Sequence, residues 1–290
     1  MLKLKVELCR HLPEHEAELV LLHVFRTMHP HLKSFSDLKI LQPISTPEIR
    51  LTALEIARAR ENGVPLQHLI GVQFFFEHEY AVNASTLVPR PETEVLVQEA
   101  LNYLREKKAE RAFTIAELGI GSGVIIGEIL SHFKNARAHA SEVSPGALDL
   151  ARRNLLGILG KDFEQRIEFH TPPDASVGFE IFLNAAPFDL IVSNPPYLST
   201  TDEISPEVTH HEPHLALFPV HSGKHENPNY FYENFLTHAR KILASDGVVF
   251  FEIPNNRAEV LRERFLKSGF RDTRLIPDLT GRPRVLQARF

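Results

Sequence analysis

The feature that most constrains the fold is a regular alternation of strand-like and helix-like segments after residue 112. Short apolar runs alternate with longer segments of helical period, which predicts a parallel sheet with helices on both faces. The predicted strands are Phe113–Leu118, Arg137–Val143, Arg166–His170, Phe188–Val192, Val248–Ile253, Asp272–Ile276 and Val285–Phe290. The predicted helices between them are Val124–His132, Pro145–Leu159, Tyr230–Leu243 and Asn256–Ser268. No helix separates the last two strands, so we expect one of them to be antiparallel.

The first 69 residues predict a small unit of short helices. Apolar residues recur at helical spacing in Glu16–Met28 and again in Ile49–Ala59. Ser45-Thr46-Pro47-Glu48 is typical of a helix start, because a capping residue is followed by proline in the first turn. Val72–Val82 is rich in aromatic residues instead, which predicts two short strands, with Asn83-Ala84-Ser85 as the turn between them.

The composition narrows the class of protein. The net charge of −5 disfavours a protein that grips nucleic acid through a basic surface. Cys9 is the single cysteine, so the chain cannot form an internal disulfide. Neither a membrane-spanning run nor a signal peptide is visible, which predicts a cytoplasmic protein without a membrane partner. His210, His211 and His214 come closest to a histidine cluster, but their spacing is not that of a metal site, and we expect none.

A glycine-rich loop, Gly119-Ile120-Gly121-Ser122-Gly123, follows the first strand of the alternating region. Glycines allow a sharp turn and a close approach of ligand to backbone, and the next helix offers free N–H groups. Glu142 follows about twenty residues on, where an acid can bind both ribose hydroxyls. A structural turn is the alternative. The glycine spacing differs from that of NAD-binding loops, and Glu117 suits a cationic ligand better than a pyrophosphate. S-adenosylmethionine, a sulfonium, fits both features.

A stiff tetrapeptide, Asn194-Pro195-Pro196-Tyr197, follows the strand Phe188–Val192. Ligands of open α/β sheets bind at the carboxyl ends of the strands, which places this segment beside the glycine loop. The Asn194 side chain and the Pro195 carbonyl offer two hydrogen-bond acceptors, and Tyr197 offers a flat face. Two acceptors and an aromatic face suit a planar NH₂ group that receives a methyl group. A Pro-Pro loop without chemistry is the alternative.

At these residues the chain resembles the PrmC/HemK family of protein-(glutamine-N5) methyltransferases, and the resemblance extends over nearly its whole length. Asn-Pro-Pro-Tyr is shared with DNA adenine methyltransferases, whereas the Pro-Arg-Pro-Glu-Thr-Glu segment is the more specific motif. The segments that carry the resemblance are Pro65–Gly71 with Phe74-Phe75, Leu87–Glu94, Glu212-Pro213 with Ala216-Leu217, and Asp278–Arg282 with Arg284-Val285.

The resemblance implies a fold, a reaction and a set of site residues. It implies a Rossmann-like class I methyltransferase sheet over residues 87–290, a linker hairpin over 70–86, and an N-terminal helical domain over 1–69 that helps to dock the substrate. The implied substrate is the glutamine of the Gly-Gly-Gln motif in class I peptide chain release factors, the methyl donor being S-adenosylmethionine. The implied cofactor residues are Glu117, Gly119, Ile120, Gly121, Ser122, Gly123, Glu142 and Asn194, and the implied catalytic residues are Asn194, Pro195, Pro196 and Tyr197.

The chain departs from the family pattern at two places. Pro219–Pro228 replaces a usual Gly-Gly-x-Asp-Gly stretch, and Thr171–Asp174 replaces the Asp-Trp pair near the adenine. Arg90 and Glu92 either brace the cofactor side of the pocket or are structural. Two other functions stay open. The chain could methylate adenine in nucleic acid, although no stable nucleic-acid partner is expected, or it could bind the cofactor as a scaffold without catalysis.

Overall fold

A computed structural model describes residues 1–107, 112–219 and 227–290. The chain divides into two compact units. The first, the helical unit, contains Met1–Val72 and the segment Ile204–His211, and the second, the sheet unit, contains Gln73–Glu203 and Glu212–Phe290. Most of Pro219–Pro228, which replaces the family's glycine-rich stretch, lies outside the described residues.

The secondary structure follows the predicted alternation closely. The helices are α1 Leu2–Leu8, α2 Glu14–Arg26, α3 Phe35–Leu41, α4 Pro47–Glu61, α5 Leu66–Ile70, α6 Thr93–Glu106, α7 Val124–His132, α8 Pro145–Leu159, α9 Pro206–His211, α10 His214–Leu217, α11 Tyr230–Ile242 and α12 Ala258–Lys267. The strands are β1 Val72–Phe75, β2 His78–Ala81, β3 Thr114–Leu118, β4 Arg137–Ser141, β5 Ile167–His170, β6 Phe188–Ser193, β7 Leu243–Glu252, β8 Asp272–Pro277 and β9 Pro283–Arg289.

The helical unit packs its helices around an apolar core that includes Val20, Phe25 and Leu38. The predicted start of α4 is confirmed, because the Thr46 hydroxyl accepts a hydrogen bond from the Ile49 N–H and proline occupies the first turn. The segment Ile204–His211 belongs to this unit. The Arg60 guanidinium of α4 pairs with both Glu16 and Glu207, which fastens the segment to two helices of the unit.

The hairpin β1–β2 forms where two short strands are predicted, but its turn is not at Asn83–Ser85. The two strands meet at Phe76-Glu77, where Phe76 has a left-handed φ of 54°. Asn83 lies after β2, and its side-chain oxygen accepts a hydrogen bond from the Ser85 N–H. An Asx-type turn therefore lies at Asn83–Ser85, but it leads away from the hairpin instead of closing it, and the predicted position of the hairpin turn is wrong.

The sheet unit is built on seven strands in the order β5-β4-β3-β6-β7-β9-β8. Strand β9 is antiparallel to both of its neighbours, and the pairs among β3 to β7 are parallel. The predicted α/β fold, mostly parallel with an antiparallel C-terminal strand, is confirmed. The chain proceeds outward from β3 to β5 and then returns to place β6 against β3. Ligands of open sheets bind at such a reversal point, at the carboxyl ends of the strands.

Two apolar layers cover the sheet. Residues of α6, α7 and α8 pack on one face, and residues of α11 and α12, with a cluster of phenylalanines, pack on the other. Buried Tyr80 donates its hydroxyl to Glu128 at 3.1 Å. Gly127 of α7 makes room for this ring, because a Cβ there would lie 2.7 Å from the Tyr80 hydroxyl oxygen. Among the described helices, none is long and apolar enough to cross a membrane.

Candidate active site

A cavity of the sheet unit lies where β3, β4 and β6 end. Arg90, Thr93 and the segment Ser141–Ser144 contribute to its wall. The predicted site residues that line it are Glu117, Gly119, Ile120, Gly121, Ser122, Glu142, Asn194 and Pro196. Gly123, Pro195 and Tyr197 are not among the lining residues. The fold therefore brings most of the predicted cofactor residues together with part of the predicted catalytic segment.

The glycine loop needs its glycines for backbone conformation. Gly119, Gly121 and Gly123 have φ angles of 71°, 54° and 83°, in a region where a residue with a side chain is strained. The N–H groups of Gly119 and Ile120 donate to the Ser141 carbonyl at 3.0 and 2.9 Å, which fastens the loop to the end of β4. Gly123 then caps α7. At its three glycine positions the loop carries no side chain that could block a ligand.

Glu142 joins the glycine loop to the end of β4. One carboxylate oxygen accepts the Gly121 N–H at 2.9 Å, and the other accepts the Ser144 N–H at 2.9 Å. Burial raises the pKa of this carboxyl, and the backbone N–H groups of Ser144 and Gly121 counteract part of that rise. Each carboxylate oxygen has a second lone pair. Glu142 can therefore brace the loop and still accept a hydrogen bond from a ligand at each oxygen.

Glu117 is a second buried carboxyl in the wall of this cavity, only 1% exposed. It accepts the Ile126 N–H in the first turn of α7 at 3.2 Å. Burial raises its pKa well above the ordinary value, and the charge of Glu142 raises it further. Two buried carboxyls on one cavity favour a ligand that carries hydroxyl donors and a positive charge. These residues fit the nucleoside and the sulfonium of S-adenosylmethionine.

Asn194 leaves the end of β6 and reaches the cavity. Just before it, the Ser193 hydroxyl donates to the Leu118 carbonyl at 2.7 Å, which ties the ends of β6 and β3 together. The Asn194 side-chain NH₂ donates to the Thr93 hydroxyl at 3.3 Å. This bond uses the amide nitrogen and leaves the amide carbonyl as an acceptor. Pro195 is buried, and Pro196 forms part of the cavity wall.

Comparisons with known proteins bear on this geometry. Protein-family models give no match to the chain. A release factor glutamine methyltransferase of Chlorobaculum tepidum is 32% identical over 271 residues, covering 92% of this chain and 86% of its own. The chain belongs to the release factor glutamine methyltransferase family. A second family member, from Geobacter sulfurreducens, is 32% identical over 252 residues, covering 86% of this chain and 81% of its own.

A longer relative and a solved structure also resemble the chain. A bifunctional methyltransferase of Rickettsia typhi is 30% identical over 293 residues, covering 95% of this chain but 53% of its own. The chain thus spans about half the length of that relative. Among solved structures, the METTL16 methyltransferase domain has a TM-score of 0.50 at 13% identity, covering 83% of this chain and 80% of its own. That likeness shows the fold, a Rossmann-like class I methyltransferase sheet.

Tyr197 lies behind the cavity wall, where it packs against the phenylalanine-rich core. Its hydroxyl donates to Glu252 at 3.1 Å. Burial raises the pKa of the Tyr197 hydroxyl, and the negative charge of Glu252 raises it further. Its backbone carbonyl accepts a hydrogen bond from the Arg257 guanidinium. These contacts fix the ring and the end of the Pro-Pro segment from behind.

Sequence reasoning missed two residues, Thr93 and Glu252. The Thr93 hydroxyl donates to Glu252 at 2.6 Å, and both side chains are buried. Thr93 lies inside the segment Leu87–Glu94 that carries the family resemblance, but no role was assigned to it. Glu252 ends an apolar strand. An acid at the carboxyl end of an otherwise apolar strand is the signal that could have identified it.

One group of three side chains in the described part of the chain could hold a metal ion, and it lies outside the cavity. It consists of His139, Glu168 and His170 on β4 and β5. The two ring nitrogens are 3.0 Å apart, an ordinary hydrogen-bond distance. Burial lowers the pKa of His139. The sequence analysis considered His210, His211 and His214 and expected no metal site; it did not single out the group on β4 and β5.

Proposed function

We propose that the chain transfers the methyl group of S-adenosylmethionine to the side-chain amide nitrogen (N5) of the glutamine in the Gly-Gly-Gln motif of class I peptide chain release factors. Membership of the release factor glutamine methyltransferase family supports this substrate. The structural observation that carries the proposal is the anchored amide of Asn194. One hydrogen of its NH₂ is donated to Thr93, which leaves its carbonyl as an acceptor for a substrate at the cavity.

The cofactor would lie against the glycine loop. The backbone of Gly119 and Gly121, which lines the cavity, would face its methionine part, and Glu142 would hold the ribose hydroxyls. Buried Glu117 would offset the positive charge of the ligand. When bound, S-adenosylmethionine supplies an electrophilic methyl group. The residues of the chain supply the orientation, because the cavity joins the glycine loop to Asn194 in one wall.

The protein's task at the substrate is to orient and activate a poor nucleophile. The lone pair of an amide nitrogen is delocalised into its carbonyl. The Asn194 side-chain carbonyl, at the cavity, would take one N–H bond. The Pro195 backbone carbonyl, which does not line the cavity, remains the predicted second acceptor. Together they would favour the positive charge that builds on nitrogen. Holding the nitrogen in line with the methyl group lowers the entropic cost. The proton can leave after transfer, so no strong base is required beforehand.

A mass spectrum of a purified release factor, after incubation with the protein and S-adenosylmethionine, tests this function. We expect the mass of one methyl group on the glutamine of Gly-Gly-Gln. Asn194→Ala should lower the rate by about 10²–10³-fold, the usual effect of removing one group that stabilises transition-state charge. A release factor with glutamine replaced by alanine is the matched substrate control. Methylation of adenine in DNA or RNA, with the release factor unmodified, would overturn the proposal.

We propose further that the helical unit helps to dock the release factor. It exposes Ile40 and Ile44, at 84% and 87%, close together in sequence at the end of α3. With Leu41, which is 42% exposed, three large apolar side chains are exposed within five residues, which favours a protein partner. The pair Ile40→Ser and Ile44→Ser should raise KM for the whole release factor but not for a short Gly-Gly-Gln peptide. Val260→Ser, at a half-exposed position on α12, is the control. An equal rise in KM for the peptide would contradict docking.

A further inference from the structure

A chain of hydrogen bonds runs from Asn194 to a buried carboxylate behind the cavity wall. The Asn194 NH₂ donates to the Thr93 hydroxyl at 3.3 Å, and the Thr93 hydroxyl donates to Glu252 at 2.6 Å. Thr93 is the first residue of α6, and Glu252 is the last residue of β7. These two hydrogen bonds therefore connect the start of α6 with the ends of β6 and β7, at the point where the substrate amide is proposed to bind.

The environment of Glu252 holds it as a hydrogen-bond acceptor. Its side chain is 2% exposed and accepts hydrogen bonds from the hydroxyls of Thr93 and Tyr197, one at each oxygen. Burial raises the pKa of Glu252, while the hydroxyl of Thr93 and the positive charge of Arg284 lower it. Two donors and a nearby guanidinium thus compensate for the loss of water around the carboxylate.

The acceptor character of Glu252 fixes the direction of the whole chain. Thr93 has a single hydroxyl hydrogen, and in the structure this hydrogen is donated to Glu252. Thr93 can then only accept from Asn194, which requires the NH₂ of the Asn194 amide to face Thr93. The reverse orientation would place the Asn194 carbonyl against the Thr93 hydroxyl oxygen, whose only hydrogen is already donated to Glu252. It would also present an NH₂ group to the NH₂ group of the substrate.

We propose that Glu252 and Thr93 are positioning residues that set the orientation of the Asn194 amide, so that its carbonyl and not its NH₂ meets the substrate nitrogen. This inference rests on the proposed transfer to an amide nitrogen at Asn194. Neither residue needs to touch the reacting atoms. Their effect is to select one of two amide orientations that have nearly the same shape but opposite hydrogen-bonding character.

Thr93→Val tests the inference, because valine keeps the shape of threonine and removes the hydroxyl. We expect kcat to fall by about 10- to 100-fold, the scale of a misoriented reacting group. The dissociation constant of S-adenosylhomocysteine, measured by calorimetry, should change by less than about twofold, since that ligand does not need the Asn194 carbonyl. Thr93→Ser restores the hydroxyl and should recover most of the lost turnover. Equal kcat values for the valine and serine variants would overturn the inference.

Two other variants separate positioning from a merely structural role. Tyr197→Phe also removes one hydroxyl from Glu252, but not the one that contacts Asn194. It should lower the melting temperature about as much as Thr93→Val while costing less in kcat. Glu252→Gln gives Thr93 a partner that can donate a hydrogen bond. Thr93 can then donate to Asn194 instead, so the orientation of the Asn194 amide is no longer fixed, and kcat should fall although the packing is preserved. Equal kcat losses in Tyr197→Phe and Thr93→Val would reduce the network to structural support. An inactive wild-type protein would instead contradict the proposed function itself.

Discussion

Replacing Glu142 by glutamine changes one atom that the cofactor and the glycine loop are proposed to share. Both carboxylate oxygens already accept a backbone N–H, from Gly121 and Ser144, each at 2.9 Å. Glutamine keeps one acceptor oxygen and turns the other into an NH₂ group. That group must face one of the two backbone donors, so a donor opposes a donor. At the same position, one ribose hydroxyl would lose its acceptor.

The magnitude follows from the charge on the acceptor. A hydrogen bond to a charged group contributes about 1.5–3 kcal/mol, and every 1.4 kcal/mol corresponds to tenfold in affinity. Loss of one such bond to the ribose should weaken binding of S-adenosylhomocysteine by about 10- to 150-fold. The thermal stability should change less. Burial raises the pKa of Glu142, so the ionised side chain is costly to bury, and a neutral side chain removes that cost.

Isothermal titration calorimetry with S-adenosylhomocysteine measures this directly, and Glu142→Asp is the matched control. Aspartate is shorter by one methylene but keeps both acceptor oxygens and the charge, so its affinity should lie between those of the wild type and Glu142→Gln. Wild-type affinity in the glutamine variant would show that the ribose is held elsewhere. Weaker binding by the aspartate variant than by the glutamine variant would show that reach, not charge, decides.

Three further outcomes are expected. Gly127→Ala should destabilise the full chain by about 1 kcal/mol, because the clash with the buried tyrosine outweighs the gain in helix propensity, whereas Gly157→Ala, with open space around it, should stabilise by about 0.5–1 kcal/mol in thermal denaturation. Arg90→Met should cost about 1–3 kcal/mol, since it removes the guanidinium from a buried carboxylate, and Arg262→Met, in an exposed pair, should stay within about 0.5 kcal/mol. Cofactor affinity should fall as the pH is lowered, because the raised pKa of Glu117 makes this carboxyl take up its proton at a higher pH than an exposed glutamate does. Glu117→Gln should remove that part of the pH dependence in calorimetry.

The parts of the fold that could be predicted are those where the hydrophobic period and a residue at the end of the element indicate the same structure. Helices α7 and α8 have the predicted bounds because Gly123 marks one start, and Ser144 with Pro145 marks the other. The glycine loop and Glu142 come together because parallel strands end at one edge of the sheet. The prediction of the hairpin turn was wrong because the turn lies at Phe76, which has a left-handed φ. A bulky residue disfavours that conformation, so the sequence did not indicate a turn there.

The parts that sequence reasoning missed depend on contacts between distant residues. Thr93 and Glu252 are 159 positions apart, and periodicity carries no information about such a pair. His139 and His170 meet only because their strands are neighbours in the sheet. Tyr197 follows Asn194 closely in sequence and was predicted to stack at the pocket, whereas its hydroxyl is held by Glu252 behind the cavity wall. Stacking of the Tyr197 ring on a ligand remains a prediction.

Because the eight residues Ile204–His211 belong to the helical unit, the polypeptide crosses between the two units at three peptide bonds, after Val72, after Glu203 and after His211. The helical unit is therefore not a module that can be added to or removed from one end of a gene. A recombination event at the codon for Val72 would exchange most of the unit but leave α9 behind, without the Arg60 that pairs with Glu207. Exchange of the whole unit would have to replace Met1–Val72 and Ile204–His211 together.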